Sequence, residues 1–213
     1  MDVIGERWTL LIVRDLLLGP KRYKDLLEGL PGIGTNLLAD RLKELERLGL
    51  LERATLPPPA GSAVYQLTEA GQALEPALTA IGRWGARYLA GGPRKSDTMV
   101  PRAYFVAIRH AFLPDAAGDL NETYEFRIDG HVFEVKVKNG RGFTAERPAS
   151  NPDAVFTMDV QTLNALLFQQ LTPGAAISSR RVAIDGDPQA LERFVKIFAL
   201  RKAAEYVGPA KRR

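Results

Sequence analysis

The sequence predicts two domains of different class. The first is mostly α-helical and closed by a β-hairpin; the second is α+β, an antiparallel sheet with helices on one side. Three observations point to this. Early in the chain leucines recur at helical spacing, as Leu38, Leu42, Leu45 and Leu48 do. Beyond residue 120 the pattern changes to strand alternation, with Tyr124, Phe126 and Ile128 on one face and Phe133, Val135 and Val137 on one face of the next strand. Between them GGPRKSDTMVPR (91–102) is glycine, proline and charge with little apolar content, which marks a boundary. The 213 residues have room for two compact domains, read here as 1–92 and 103–205 with a linker at 93–102.

Taken in order, IGERWTLLIVRDLLLGP reads as an apolar helix with Trp8, Leu11, Ile12, Leu16 and Leu17 on its buried side. Gly19-Pro20 stops it, because glycine relaxes a helix end and proline cannot continue one. A short helix follows in KRYKDLLEGLPG, with Tyr23, Leu26, Leu27 and Leu30 inward. The next helix begins near Thr35, a plausible N-cap. Its apolar stripe faces a core, and its other side carries Thr35, Asn36, Asp40, Arg41, Lys43 and Arg47. Two strands, Leu50 to Arg53 and Val64 to Leu67, are joined by an exposed PPPAGSA loop. Helices, a tight turn, a third helix and a hairpin make a winged helix-turn-helix, whose third helix enters a DNA major groove. Residues 68–92 then read as a long helix with Thr68 as cap and a stripe of Leu74, Leu78, Ile81, Trp84 and Tyr88. Pro76 predicts a kink or a fresh start within it.

The run from IGERWTLLIVRDLLLG to LLER, with the PPP loop, VYQLTEAG and ALEPALTAIGRWG, closely resembles the HxlR-type transcriptional regulators, relatives of the MarR group, over about Val3 to Trp84. The resemblance implies a dimeric DNA-binding protein that regulates a nearby gene or its own, and the lack of an apolar signal peptide or membrane-spanning run leads to the expectation of a cytoplasmic one. It maps Thr35, Asn36, Asp40, Arg41 and Lys43 to the exposed side of the recognition helix. It places Lys21, Arg22 and Lys24 where phosphate contacts are expected, and Arg53 at the base of the wing. Asp40 has an equally good reading as an intrahelical ion-pair partner. Trp8, Leu74, Leu78, Ile81, Trp84 and Tyr88 are the dimer-interface candidates, and a two-fold dimer sets half-sites about one helical turn of DNA apart, ~34–36 Å. Members of this group normally carry a further N-terminal segment, often with a cysteine, so a dimer-supporting piece is expected to be missing here or the start to be placed late.

Charge and composition narrow the field. The chain is basic, with a formal net charge of +4, yet residues 1–92 hold eleven Lys and Arg against eleven Asp and Glu. DNA binding would therefore depend on local clustering, and the basic end Lys211-Arg212-Arg213 reads as solvated. The absence of cysteine excludes a thiol switch, disulfides and Cys-based zinc sites. No apolar run is long enough for a membrane span, and Asp2, Glu6 and Arg7 sit where an apolar signal peptide would lie.

In the second domain, AYFVAIRHAFL (103–113) reads as a helix, and ETYEFRID, HVFEVKVKN, GFTAE and AVFTMDV read as strands. Asp129-Gly130 and Asn139-Gly140-Arg141-Gly142 are the hairpin turns. Helices at 159–171 and 172–179, a strand RRVAIDGD and the helix QALERFVKIFAL complete it. NPDAVFTMDVQTLNALLFQQLTPGAAI and RVAIDGDPQALERFVKIF resemble the sterol-carrier-protein type 2 fold, over about residues 103–200. That resemblance implies an apolar tunnel for fatty-acyl or sterol-like ligands. Phe105, Phe112, Phe126, Phe133, Phe156, Met158, Leu163, Leu167, Phe168, Phe194 and Phe198 are the pocket candidates, although plain core is the first reading of each taken singly. Arg109, His110, Arg180 and Arg181 are the groups able to anchor a carboxylate head, or else surface charges.

Catalysis finds no support. His110 and His131 are the only histidines, neither in a Ser-His-Asp setting, and no phosphate-binding loop is present. Asp129, Asp185 and Asp187 lie in glycine turns, where turn chemistry explains them better than a metal does. No cofactor is implied. The reading is a homodimeric regulator with a palindromic operator and a C-terminal domain for a hydrophobic small molecule. A lipid carrier with a helical interaction module, or a regulator whose second domain is purely architectural, are the alternatives.

Overall fold

The computed structural model describes residues 4–58, 61–86 and 99–198. The chain divides into two compact units, Met1–Thr79 and Ala80–Arg213. The division falls inside a helix rather than at the 92/93 boundary read from composition.

In the first unit α1 (Thr9–Leu16), α2 (Tyr23–Gly29) and α3 (Thr35–Arg47) pack around one core. Ile12, Val13 and Leu16 of α1 meet Leu26 of α2 and Leu38, Leu42 and Leu45 of α3. Burying each of these side chains contributes roughly 1.5–3 kcal/mol against chain entropy. The wing is β1 (Leu51–Thr55) paired antiparallel with β2 (Ala63–Leu67), Arg53 opposite Tyr65. Lys21 adds a third, one-residue strand by exchanging both backbone hydrogen bonds with Tyr65, at 3.0 and 2.7 Å.

Helix α4 (Glu69–Gln72) is capped by the Thr68 hydroxyl, as its sequence predicts. Thr68 also donates to the carbonyl of Gly49 at 2.5 Å, tying α4 to the end of α3. Gly71 is obligatory here, since a Cβ would overlap the carbonyl oxygen of Leu50. The long helix predicted after Thr68 is two helices. Helix α5 (Glu75–Ala86) starts afresh with Pro76 in its first turn, where a missing N–H costs nothing. Leu74 and Leu78 pack on the core of the first unit. Tyr88, most of the segment at 91–102, residues 59–60 of the wing loop and the basic C-terminal end lie outside the described residues.

In the second unit α6 (Pro101–His110) and α7 (Pro114–Ala117) precede β3 (Glu122–Ile128), β4 (His131–Lys138), β5 (Arg141–Ala145) and β6 (Ala154–Met158). Then come α8 (Val160–Leu167), α9 (Pro173–Ser178), β7 (Ala183–Gly186) and α10 (Ala190–Ile197). Pro101 and Arg102 belong to α6 rather than to the linker, and Arg102 is buried against Glu146 at 2.7 Å. The sheet order is β5-β4-β3-β6-β7. The α+β class holds, with one correction to its pairing: β6 runs parallel to β3. The physical reason is the connection at 146–153, which crosses β4 and β3 on the face of Glu134 and Glu125, bonded to them by Arg147 and the Ala149 N–H, and so returns the chain in the same direction.

Candidate nucleic-acid interface

Helix α3 is positioned by its leucines. With Leu38, Leu42 and Leu45 buried, the helical repeat turns Asn36, Asp40, Lys43 and Arg47 outward, and all four are exposed. Asp40 and Lys43 form no ion pair among the described residues, so the intrahelical pairing weighed for Asp40 is not made. Arg47 instead grips Glu44 with two hydrogen bonds, at 2.9 and 2.7 Å, which hold the Glu44 carboxyl below its usual range. The start of α3 is set from α2, because the Tyr23 hydroxyl donates to the carbonyl of Thr35 at 2.6 Å.

Several candidates sit differently from the sequence reading. Thr35 is the first helical residue and not the cap; Gly34, with extended backbone, occupies the cap position and no side chain caps the helix. Arg41 is not on the open face. It lies one-quarter exposed along the flank of α3, where its guanidinium pairs with Glu6 at 3.0 Å. The reason is geometric: Arg41 precedes Leu42 by one residue, about 100° round the helix, and so borders the buried stripe. Lys21 is a clear correction. It is 3 % exposed, held by the extra strand of the wing, and its ammonium donates to the carbonyl of Gly19 at 3.3 Å. A phosphate contact from Lys21 is therefore ruled out in this conformation.

Arg22 and Lys24 are exposed as expected, Arg22 at the cap of α2 and Lys24 near Glu28 at 3.6 Å. Arg53 stands on β1 between Glu46, at 3.4 Å, and the ring of Tyr65. The sequence reading passed over Leu37, which is exposed beside Asn36 and Asp40. Its place in the helical repeat, outside the Leu38–Leu42–Leu45 stripe, was the available signal.

The dimer candidates separate into two groups. Trp8, Leu74 and Leu78 are partly buried against the core of their own unit, whereas Ile81 and Trp84 on α5 are about half exposed.

In the second unit Phe105, Phe126, Phe133, Phe156, Met158, Leu163, Leu167, Phe168, Phe194 and Phe198 are all buried, while Phe112 is half-buried. The rings pack on one another. Phe105 stacks on Phe133 with centroids 3.8 Å apart, and Phe126 lies 4.6 Å from Phe194 and 4.9 Å from Phe156. Among the proposed anchors, Arg109 lies over the ring of Phe143 and Arg180 is exposed. Arg181 donates to the buried hydroxyl of Thr162 at 3.2 Å. His110 is buried, its Nε2 has no hydrogen-bond partner, and Arg83 donates twice to its carbonyl. Burial first, then the charges of Arg109 and Arg83, push its imidazole down to about 4, so it is neutral at pH 7. No cluster of metal-ligating side chains occurs among the described residues. None of the described helices is long and apolar enough to cross a membrane.

Two family models match the chain. Residues 3–92 fit the HxlR-like helix-turn-helix model and residues 109–199 the SCP-2 sterol transfer family model. The HTH-type transcriptional regulator YodB of Bacillus subtilis is 39 % identical over 91 residues, 43 % of this chain and 81 % of that protein. YvaP of the same organism, an uncharacterized HTH-type transcriptional regulator, is 36 % identical over 89 residues, 42 % of this chain and 82 % of that one. Among solved structures, the reduced form of YodB from B. subtilis aligns with a TM-score of 0.38 at 38 % identity, covering 43 % of this chain and 90 % of that one. The chain belongs to the HxlR-like helix-turn-helix family of transcriptional regulators, with an SCP2 domain C-terminal to its winged helix.

Proposed function

We propose that the open face of α3 reads the major groove of a palindromic operator. Asn36, Asp40 and Lys43 supply polar contacts to base edges, and Leu37 supplies an apolar one. Arg22, Lys24 and Arg53 contact phosphates and fix the register. The observation that carries this reading is the exposed row on α3, backed by a fully packed core. The protein works in the cytoplasm as a homodimer, with Ile81 and Trp84 of α5 as the apolar surface available to a second copy. It is a binding protein without a catalytic step. Selection from a random duplex pool, followed by sequencing, tests this: a two-fold symmetric site with half-sites about 10 base pairs apart supports it, and an unenriched pool rejects it.

The C-terminal domain then senses a hydrophobic small molecule and shifts operator affinity, a coupling of typically ~1–3 kcal/mol. The SCP-2 match supports this role. The close ring packing, with Phe105 on Phe133 at 3.8 Å, favours a second reading in which the domain is architectural. Native mass spectrometry of the purified protein separates the two: a stoichiometric apolar adduct supports sensing, and its absence together with ligand-independent operator affinity supports architecture.

A further inference from the structure

Within the second unit, residues 99–198 hold eleven Lys and Arg and twelve Asp and Glu. Five of those eleven cations nonetheless share one surface. The strand register turns Arg127 of β3, Lys136 and Lys138 of β4, and Arg141 of β5 to the side of the sheet away from the aromatic core. Arg147 joins them from the crossover.

Beneath these five cations lie two carboxylates, Glu125 and Glu134, placed directly opposite each other on neighbouring strands. Like charges so placed repel, and the pair persists because each is matched from above. Arg127 meets Glu125 at 2.8 Å, and Lys136 and Arg147 meet Glu134 at 2.7 and 2.6 Å. The carboxylates are buried while the cationic heads remain in solvent. Lys138 and Arg141, side by side at the hairpin, are exposed and form no ion pair among the described residues. The one other carboxylate turned to this side from the strands is Asp185, on the far edge strand β7. At the near edge Phe143 holds the guanidinium groups of Arg109 and Arg147 over its ring, at 5.2 and 6.0 Å. Its ring is thus a platform that orders two arginines rather than an anchor free to enter an apolar phase.

We infer that this outward face of β3–β5 grips the phosphates of duplex DNA without reading sequence. The inference rests on the DNA-binding reading above and adds a second contact surface to it. Charge complementarity selects the partner. At the hairpin end Lys136 and Lys138 are alternate residues of β4 and Lys138 stands opposite Arg141, so these three cations repeat every ~5–7 Å, a density suited to a polyanion, while Arg127 lies farther along the same face opposite Val132. The winged-helix segment supplies no general attraction of its own, being balanced at eleven charges of each sign over residues 1–92.

The test uses the full chain and the salt dependence of its affinity for a selected operator and for a scrambled duplex of about 30 base pairs, a length that leaves flanking phosphates free. Each phosphate contact contributes ~0.9 to the slope of log affinity against log salt, so Lys138→Glu with Arg141→Glu lowers it by about 2. Affinity falls about tenfold on both duplexes, and the ratio between them stays constant. Neither residue pairs with a carboxylate, so folding is unaffected. Lys196→Glu, at an exposed position of the otherwise largely buried α10, makes the same kind of charge change elsewhere and leaves the slope as it was. An unchanged slope in the double variant overturns the inference. So does loss of binding to phosphatidylglycerol-containing vesicles with DNA binding intact, which assigns the face to a lipid surface. Failure of the wild-type chain to prefer the operator would instead overturn the base-reading proposal, whatever the slope does.

Discussion

The Tyr23 hydroxyl donates a 2.6 Å hydrogen bond to the carbonyl of Thr35, joining the first residue of α2 to the first residue of α3. The bond crosses the turn between the two helices and fixes where the exposed face of α3 begins. A stability element and a functional surface thus share one contact.

Tyr23→Phe keeps the ring and removes the bond. It is expected to cost about 0.5–1.5 kcal/mol in urea unfolding, the net worth of a neutral hydrogen bond. Operator affinity should fall by more than this stability loss alone explains, because the start of α3 is no longer held. Equal affinity for both proteins in an anisotropy titration would show that the bond serves stability only.

Gly71→Ala should be far more damaging than its one added methyl suggests. The new Cβ would overlap the Leu50 carbonyl oxygen and press on Leu67, so α4 must move off the end of α3. Overpacking of this kind typically costs about 1–3 kcal/mol, and backbone is the least yielding neighbour. Thermal melts that coincide for the two proteins would contradict this.

Arg180 follows α9 with φ +57°, a left-handed position at which glycine ordinarily ends a helix. Its backbone N–H bonds the carbonyl of Ile177, and that of Arg181 the carbonyl of Ala176, so the turn itself is well formed. Arg180→Gly is expected to relieve the strain and stabilise the protein by up to about 1 kcal/mol. A lower denaturation midpoint in the variant would mean that Arg180 makes a compensating contact.

His110 predicts a specific acid sensitivity. In the unfolded chain its imidazole takes up a proton near the ordinary 6.5, whereas in the folded protein it does so only at about 4. Between those values the unfolded state binds the extra proton, so stability falls as pH falls through that window. At about 1.4 kcal/mol per unit the loss is on the order of 3 kcal/mol. His110→Leu should remove this slope between pH 6.5 and 4. Glu134 acts in the same sense lower down. Burial raises its pKa, but the hydrogen bonds from Lys136 and Arg147 outweigh this and keep it below 4.5. Parallel pH–stability curves for wild type and His110→Leu would refute the assignment.

Much of this architecture was legible because periodicity reports burial directly. The Leu38–Leu42–Leu45 stripe, the Thr68 cap and the fresh helix start at Pro76 all follow from local geometry. Contacts between distant segments were not legible. Nothing near Lys21 signals that it pairs with Tyr65 and is buried, and nothing near Arg41 signals that Glu6 will reach it. The parallel pairing of β3 with β6 depends on the path of the 146–153 crossover, which alternation within a strand does not encode. The cationic sheet face has the same origin: Arg141 comes opposite Lys138, and Arg127 onto the same face as both, only through register.

The most direct test of the central claim compares Asn36→Ala with wild type by fluorescence anisotropy, on the selected operator and on a scrambled duplex at near-physiological salt. The account predicts a wild-type preference of about 10³-fold or more, reduced by a base-contact worth of roughly 1–3 kcal/mol in the variant, with scrambled binding unchanged. Equal wild-type affinity for both duplexes, or a variant that loses affinity equally on both, would contradict base reading by the open face of α3.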